Sequence, residues 1–290
     1  MTASLDYRNR TAMQRILPNG GTVYSQSPAP KREQPKRGKC KGWTRDAARG
    51  NTDFLMSVRA DDLSGSGYAL SLTIRDCPET PQAWQAIRRK FVKRLERLGM
   101  IRLHWLTEWQ RRGCPHLHAA VWFSEPTDPA DIIRHWRQSA AGYFAGPLSQ
   151  DAKPITGTAG WFEYLAKHGA RSVSNYQRSS ENIPAEWCGQ TGRMWGHLGE
   201  WPTSEAKIIE APEPVELQYR RLMIRYQIGK ARRQGDRQRL RYLRRYLSRA
   251  PKETSRAANL PRLWIPEDDQ WALLRCAFDS HNPGDERPEM

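Results

Sequence analysis

The amino-acid sequence predicts an α+β fold that is followed by a basic helical extension. Two kinds of apolar spacing occur in the centre of the chain: strict alternation, which is typical of strands, and steps of three and four residues, which are typical of helices. After residue 214 only the helical spacing recurs, and there it recurs among arginines. The chain has 290 residues, which is enough to bury a sizeable core.

The first part of the central region predicts one strand and one helix. Side chains alternate in polarity over 68–74, which indicates a strand. Pro81 suits the first turn of a helix, and the apolar residues over 82–98 recur at three- and four-residue steps. Gly99 follows as the helix stop.

The next part of the central region predicts a β-hairpin, with apolar strands at 101–109 and 116–123 around a polar turn. Side chains alternate along a strand, so His116 and His118 face the same side. The turn places Glu108 across from one of these two histidines, with Cβ atoms about 5 Å apart. Such a set can hold a divalent metal ion as a Lewis acid, either Mg²⁺ or Mn²⁺, although Zn²⁺ accepts the same ligands. The alternative is a pair of surface histidines beside a turn.

A second group of candidate residues lies in the segment 160–169, which has a helical composition and ends on a glycine. Tyr164 and Lys167 stand three residues apart and therefore share one helix face. A tyrosine hydroxyl is a poor nucleophile at its ordinary pKa of about 10. Beside a metal-polarised phosphate and a lysine, it can attack phosphorus and form a covalent ester. The alternative is a packed tyrosine next to a solvated lysine.

The net charge of +16 lies almost entirely in two flanks. Residues 1–50 hold 11 basic and 3 acidic residues, residues 51–212 hold 19 and 17, and residues 213–250 hold 12 and 3. The first flank is poor in apolar residues, which predicts a disordered basic arm, with an inert tail as the alternative. Such an excess favours a polyanionic partner, either nucleic acid or an anionic membrane surface.

The second flank predicts one or two basic amphipathic helices, with a break near Gly235. Residues 215–247 contain no proline, and three leucines at positions i, i+3 and i+7 share one face among arginines. Interleaved tyrosines and the separate basic arm favour nucleic acid over a membrane surface. The predicted organisation is an arm over 1–50, a central domain over 51–202, a linker over 203–214, and a basic helical extension with a tail over 215–290.

Several classes of protein are excluded by absent features. No apolar run reaches the ~18 residues of a membrane span, and the first thirty residues lack the pattern of a secretory signal peptide. The five cysteines lie far apart, which predicts neither a disulfide framework nor a cysteine zinc site, and zinc at Cys114 with His116 is the weaker alternative. We therefore expect a reducing, cytoplasmic environment.

Taken in order, these residues resemble the HUH endonuclease superfamily, especially the rolling-circle replication initiators of small plasmids and single-stranded DNA phages. The resemblance spans residues 65–200, about half of the chain. The matching segments are Leu-Ser-Leu-Thr at 70–73, the upstream acidic ligand Glu108, His-Leu-His at 116–118, Tyr-Leu-Ala-Lys at 164–167 and, more weakly, Gly-Arg-Met-Trp-Gly at 192–196.

The resemblance implies a central five-stranded antiparallel sheet flanked by helices, with the histidines on a central strand. It implies that His116, His118 and Glu108 hold the metal, that Tyr164 attacks the scissile phosphate, and that Lys167 positions the metal or the phosphate. The enzyme becomes joined to the 5′ phosphate and releases a 3′-OH that primes synthesis. One tyrosine in the motif implies a single-tyrosine enzyme.

The resemblance also makes single-stranded and duplex origin DNA the expected partners, with an oligomer on the DNA as a possibility and no membrane partner. No Walker-type phosphate-binding motif is present, which implies a host helicase as well as a host polymerase in a bacterial cytoplasm. Tryptophans at 105, 109, 122 and 161 are candidates for base stacking, with core packing as the alternative. The arginines expected to contact DNA are Arg111, Arg112, Arg193, Arg237, Arg241, Arg244 and Arg245.

Other functions stay open at this point. A transposase of the same superfamily would use the same chemistry, whereas a relaxase would show a third histidine near the pair and an N-terminal nucleophile. Outside the enzymes, the alternative is a basic DNA-binding regulator that does not nick. Tyr143 and Tyr176 are the alternative nucleophiles.

Overall fold

The computed structural model describes residues 12–25, 41–168, 173, 175–249 and 263–281. These residues divide into two compact units, and each unit has a buried apolar core of its own. The first unit contains the described residues from 41 to 203. The second unit contains residues 12–25 together with the described residues from 204 onward.

The described residues form eight strands and seven α-helices. The strands are β1 (Ala12–Leu17), β2 (Gly20–Ser25), β3 (Ser66–Thr73), β4 (Met100–Trp109), β5 (Pro115–Phe123), β6 (Asp151–Ile155), β7 (Trp195–Gly199) and β8 (Lys207–Ala211). The helices are α1 (Arg45–Ser57), α2 (Pro81–Arg97), α3 (Pro129–Ser139), α4 (Gly157–His168), α5 (Glu213–Arg233), α6 (Arg237–Arg249) and α7 (Glu267–Asp279).

The first unit is built on a five-stranded antiparallel sheet with the strand order β6-β3-β5-β4-β7. Strand β5, which carries the two histidines of the His-Leu-His motif, lies in the middle of this order. The predicted α+β class, the five-stranded sheet and the flanking helices are therefore confirmed.

Strands β4 and β5 form the predicted hairpin, within one residue of the predicted ends. Gly113 lies in the turn with a φ of +75°, a conformation that a residue without Cβ adopts readily. Glu108 pairs with His116, and Leu106 pairs with His118. Because paired residues point to the same side of a sheet, all these side chains share one face.

Helix α2 covers the opposite face of the sheet. The hydroxyl of Thr80 caps its first turn by accepting from the backbone N–H of Ala83. The indole of Trp84 donates to the Thr107 hydroxyl at 3.1 Å, and Thr107 points away from the face of Glu108. Burial stabilises the fold by about 1.5–3 kcal/mol for each large apolar side chain. The residues that α2 buries at the predicted spacing are Trp84, Ile87, Phe91 and Leu95.

The second unit contains a three-stranded antiparallel sheet, with the order β2-β1-β8, and the helices α5, α6 and α7. Ile16 and Val23 of this sheet are buried in a core with Val215 and Tyr219 of α5. The amide of Gln270 on α7 donates to the backbone oxygen of Leu17 at 2.9 Å, which ties the last helix to the first strand.

This sheet corrects the expected organisation of the chain. The disordered arm over 1–50 is wrong for the residues described there, because 12–25 form a hairpin and α1 begins at Arg45. The expected linker over 203–214 contains β8, which pairs with β1. Composition did not reveal the hairpin because its third strand lies almost two hundred residues further along the chain. Residues 1–11 and 26–40 of the expected arm lie outside the described part, as does much of the tail.

The basic C-terminal helices follow the prediction closely. Helices α5 and α6 are separated at Gly235, which has a φ of +67°, and a carboxylate oxygen of Asp236 accepts from the backbone N–H of Arg239 at 2.9 Å. On α6 Leu243 is buried, while the arginines lie on the exposed face. None of the helices in the described part of the chain has the length and apolarity needed to cross a bilayer.

Candidate active site

The predicted metal ligands lie on neighbouring central strands, in a buried position. Glu108 on β4 is fully buried, and His118 on β5 is 3% exposed. The Nε2 atom of His118 lies 3.5 Å from Oε2 of Glu108. The ring of His116 lies 4.2 Å from the ring of His118, measured between centroids.

Three ligand atoms converge in this region: one each from Glu108, His118 and His168, all within 4.8 Å of one another. His168 is the last residue of α4, so a helix and two strands supply the group. Two of the three residues expected from the sequence belong to this group. His116, the third, is not part of it, and His168 contributes the third ligand atom instead.

The surroundings orient the group in a way that suits a divalent metal ion. The Nδ1 atom of His118 lies 2.9 Å from the Ser71 hydroxyl, so its Nε2 atom is directed to the carboxylate. A polar partner on the second ring nitrogen is the usual arrangement around metal-bound histidines. The carboxylate and imidazole donors suit Mn²⁺ and Zn²⁺ as well as Mg²⁺.

A buried arginine holds the other carboxylate oxygen. The Nε atom of Arg178 donates to Oε1 of Glu108 at 2.9 Å, and its Nη2 atom donates to the backbone oxygen of His168, also at 2.9 Å. The guanidinium lies over the ring of Trp43, 4.1 Å from its centroid. Arg178 therefore compensates the charge of Glu108 and connects β4 to the end of α4.

Tyr164 is positioned by α4 one turn before His168, and the two rings lie 4.8 Å apart. The Tyr164 hydroxyl lies 2.8 Å from Nδ1 of His104, and Nε2 of His104 lies 2.7 Å from Oδ1 of Asn51. Burial raises the pKa of Tyr164 well above its usual value, the charge of Glu108 raises it further, and Arg178 lowers it. Tyr164 therefore lies beside the metal group as a neutral phenol at pH 7.

The other predicted site residues fall in different places. Lys167 belongs to α4, but its side chain lies outside the described part of the chain. Arg111 lies over the ring of Tyr176, 5.2 Å from its centroid, and Arg193 is exposed just before β7. Arg112 donates to the backbone oxygens of Ile74 and Arg75. The arginines predicted on α6 are exposed, and they are Arg237, Arg241, Arg244 and Arg245.

The tryptophans proposed for base stacking are buried, which corrects that expectation. Each is at most 6% exposed, so each ring packs in the protein interior. Trp161 illustrates this, because its ring stacks on that of Tyr164 at 5.6 Å and contacts the ring of Trp122 at the same distance. Packing in the interior was the alternative weighed for these residues, which are Trp105, Trp109, Trp122 and Trp161.

Four residues of the site were not predicted. His168 follows Tyr164 by four residues, and this spacing on a helix was a signal for a shared face. His104 alternates in phase with Glu108 along β4, which also indicated a shared face. Asn51 and Arg178 come from α1 and from a short 3₁₀ helix, and nothing local in the sequence indicates their positions.

Comparisons with known proteins find relatives over most of the chain. A family model of replication-associated proteins, described by the name ORF2, matches residues 67–188. A putative replication protein of Xylella fastidiosa strain 9a5c is 48% identical over 79% of this chain and 83% of its own length. A replication-associated protein of Pseudomonas phage Pf3 is 43% identical over 85% of this chain and 89% of its own. No solved structure matches significantly.

Proposed function

Because the chain belongs to this family of replication-associated proteins, we propose that it is the nicking enzyme of a rolling-circle replicon. In this proposal it cleaves one strand of an origin site-specifically, with a divalent metal ion, and remains joined to the 5′ phosphate through Tyr164. The free 3′-OH then primes synthesis by a host polymerase.

One observation carries the proposal: a metal-competent group and a tyrosine share one face of the central sheet. Glu108, His118 and His168 converge within 4.8 Å, and Tyr164 lies one helical turn from His168. Phosphoryl transfer needs a Lewis acid at the phosphate and a nucleophile in line with the leaving oxygen. The site supplies donors for the first and a hydroxyl for the second.

The reaction follows from these residues. Glu108, His118 and His168 would hold Mg²⁺ or Mn²⁺, which supplies a Lewis acid for the scissile phosphate. The Oη atom of Tyr164 attacks phosphorus, the Oη–P bond forms, and the P–O3′ bond breaks. The bond energy is kept in the phosphotyrosine, so the joining of strands needs no ATP. We propose that Lys167, on the same helix, positions the phosphate.

The basic helix α6 is the proposed surface for duplex origin DNA. Its four predicted arginines are exposed while Leu243 is buried, so the cations are available to phosphates without any unfolding. Arg111, Arg112 and Arg193 are the proposed contacts near the cleaved strand. We further propose that a host helicase unwinds the duplex and that the protein assembles as an oligomer on the DNA. The reaction takes place in a bacterial cytoplasm.

The test is the detection of a covalent protein–DNA adduct. The full chain is incubated with Mn²⁺ and single-stranded oligonucleotides that tile the replicon encoding it, and the products are separated on a denaturing gel. We expect one oligonucleotide to give an adduct that Tyr164→Phe abolishes and that the matched control Tyr176→Phe retains.

The other outcomes of this experiment have definite meanings. An adduct that persists in Tyr164→Phe would contradict the assignment of the nucleophile. The absence of any adduct, combined with tight duplex binding, would favour a regulator that does not nick. A transposase would form the same adduct, and it would differ by cleaving at the ends of a mobile element rather than at an origin.

A further inference from the structure

The hydroxyl of Tyr164 lies at the end of a buried chain of polar groups that leads away from the metal group. His104, which is fully buried, lies between the Tyr164 hydroxyl at 2.8 Å and Oδ1 of Asn51 at 2.7 Å. Three elements supply the chain: α4 carries the tyrosine, β4 the histidine and α1 the asparagine. The ring of Phe54 stacks on that of His104, with 5.7 Å between the two centroids.

The partners of His104 define which of its nitrogens carries the proton. Oδ1 of Asn51 is an acceptor only, so Nε2 of His104 must donate to it. The ring is neutral, because burial, His197 and Arg178 together lower the pKa of His104 to about 3. A neutral imidazole has one N–H, so Nδ1 is an acceptor and the Tyr164 hydroxyl donates to it.

Asn51 carries a buried hydrogen-bond donor without a partner in the part of the chain that the structure describes, and its contact with His104 explains why this unfavourable group is tolerated. Asn51 is fully buried, and its Nδ2 atom has no hydrogen-bond partner among the described residues. An unsatisfied buried donor is unfavourable, and such groups are uncommon unless they serve a purpose. Here the asparagine gives up one hydrogen bond while its oxygen holds the imidazole in one tautomer.

We propose that His104 is the general base of the reaction, and that Asn51 positions it. This inference rests on the proposed function. As the Oη–P bond forms and the P–O3′ bond breaks, the Tyr164 proton moves to Nδ1 of His104, and the departing O3′ takes a proton from water. When DNA is bound, the anionic phosphate raises the pKa of His104 above its low value in the free protein, which favours the imidazolium that results. In the joining direction, His104 returns the proton to Tyr164.

The experiment measures single-turnover adduct formation by the full chain with an oligonucleotide that the wild type cleaves. A general base contributes roughly 10²–10⁴-fold, so His104→Ala should slow adduct formation by that factor, and added imidazole should restore part of the rate. Binding of the uncleaved oligonucleotide should stay within about twofold of wild type.

The asparagine gives a second, independent test. Asn51→Asp keeps an acceptor for Nε2–H and should keep most of the rate, whereas the similarly shaped Asn51→Leu should slow it by about 10–100-fold. The ¹⁵N shifts of the His104 ring should report the Nε2–H tautomer in wild type and in Asn51→Asp, without any requirement for activity. Far-UV circular dichroism checks that each variant folds.

The possible failures are distinguishable. If Tyr164→Phe still forms the adduct, or if the wild type forms none, the result contradicts both the proposed function and this inference. If the adduct depends on Tyr164 but His104→Ala forms it as fast as wild type, only the base is wrong. A faster His104→Ala would also overturn the inference, because His104 would then restrain the tyrosine.

A separate observation concerns a cavity of about 600 Å³ at the end of β3. It begins at Thr73, whose partner in the sheet is His116, and the ring of His116 lies 4.2 Å from that of the metal-group residue His118. Three arginines line it. Arg112 donates to the backbone, Arg137 donates to the Ala145 oxygen at 3.2 Å, and Arg75 pairs with Asp76 at 2.9 Å.

The same cavity contains an exposed and strained aromatic residue. Phe144 is 58% exposed and has a φ of +51°, which makes it the one non-glycine residue with a positive φ in the described part of the chain. The guanidinium of Arg75 lies over its ring, 4.0 Å from the centroid. A strained backbone that presents an aromatic ring beside arginines is typical of a ligand site.

We infer that this cavity takes a nucleotide of single-stranded DNA adjacent to the scissile phosphate. The base would stack on Phe144, and the phosphates would lie against the arginines, as in other single-strand binding grooves. This inference rests on the proposed function only in taking single-stranded DNA as the ligand. Its test measures binding without metal, so it does not require cleavage.

The test compares two exposed apolar residues in the same segment. Phe144→Ala should weaken binding of a labelled single-stranded oligonucleotide by about 5–100-fold, as expected for one lost base stack. The control Leu148→Ala removes a fully exposed side chain and should leave the affinity within about twofold. Phe144→Gly suits the positive φ and should reproduce the loss without strain. Equal affinities for wild type and Phe144→Gly would overturn the inference.

Discussion

Either His116 or His168 is the third metal ligand beside Glu108 and His118, and metal binding by variants distinguishes the two. The sequence motif favours His116, whereas the structure places the ligand atom of His168 with those of Glu108 and His118. Loss of a partner that only orients a ligand usually lowers metal affinity about 10–100-fold, and loss of a ligand should cost at least as much.

We therefore expect His168→Ala to weaken Mn²⁺ binding by at least about tenfold, and by more than His116→Ala does. Titration calorimetry on the full chain measures both affinities, and His281→Ala, an exposed histidine of the second unit, serves as the control. A larger loss in His116→Ala than in His168→Ala would restore the ligand set expected from the motif.

Arg178 is a second residue whose role can be measured without DNA. Its guanidinium bonds to Glu108 at 2.9 Å, and both side chains are fully buried. Removal of one partner of a buried ion pair leaves a desolvated charge, which typically costs about 3–5 kcal/mol. Arg178→Met should lower the free energy of unfolding by this amount, as measured by urea denaturation.

Two comparisons sharpen this prediction. The double variant Glu108→Gln/Arg178→Met should recover part of the loss, because it removes the uncompensated carboxylate as well. Mn²⁺ should stabilise Arg178→Met more than wild type, because the ion replaces the lost positive charge. An unchanged urea midpoint in Arg178→Met would show that the pair does not hold α4 to the sheet.

At the scale of elements, the amphipathic helix α6 gives a prediction about duplex binding. Each phosphate contact that is lost reduces the slope of log K against log salt by about 1. Substitution of the four predicted DNA contacts on α6, which are Arg237, Arg241, Arg244 and Arg245, by glutamine should therefore flatten this slope markedly and weaken duplex binding at low salt. Fluorescence anisotropy over a salt series provides the measurement.

The control for this experiment changes the net charge by the same amount elsewhere. Arg89, Lys90, Lys93 and Arg97 are cations of α2 that reach solvent, on the face of the sheet opposite the site. Their replacement by glutamine should leave the slope nearly unchanged. Equal effects of the two quadruple variants would mean that net charge, rather than α6, governs duplex binding.

The elements that the sequence predicted are those whose pattern is local. Helix α2 and the hairpin of β4 and β5 were predicted within a residue, because each one buries a periodic face against the same sheet. The register between Glu108 and the histidines was restricted to two choices by the length of the turn, and the structure selects His116. Periodicity therefore predicted much of the candidate site together with the sheet.

At the scale of the whole molecule, the features that were missed depend on contacts distant in sequence. Arg178 reaches Glu108 across seventy residues, and Gln270 reaches Leu17 across more than two hundred and fifty. Local composition contains no information about such partners. A segment rich in Pro, Lys and Arg therefore predicted a disordered arm, although β1 lies within that arm and pairs with β8.

The ordered hairpin at 12–25 can be tested by substitution. The same substitution lowers thermal stability in a packed strand but not in a disordered arm. Ile16 is 1% exposed in the core of the second unit, whereas Ile208 on β8 of the same sheet is 43% exposed. Removal of a buried isoleucine side chain costs about 2–5 kcal/mol, through lost apolar burial and the cavity that remains. Ile16→Ala should lower the thermal midpoint of this unit by several degrees in calorimetry, while Ile208→Ala should shift it far less. If neither substitution moved the midpoint, β1 would contribute nothing to the core, and the basic arm expected from composition would be the better description of this segment.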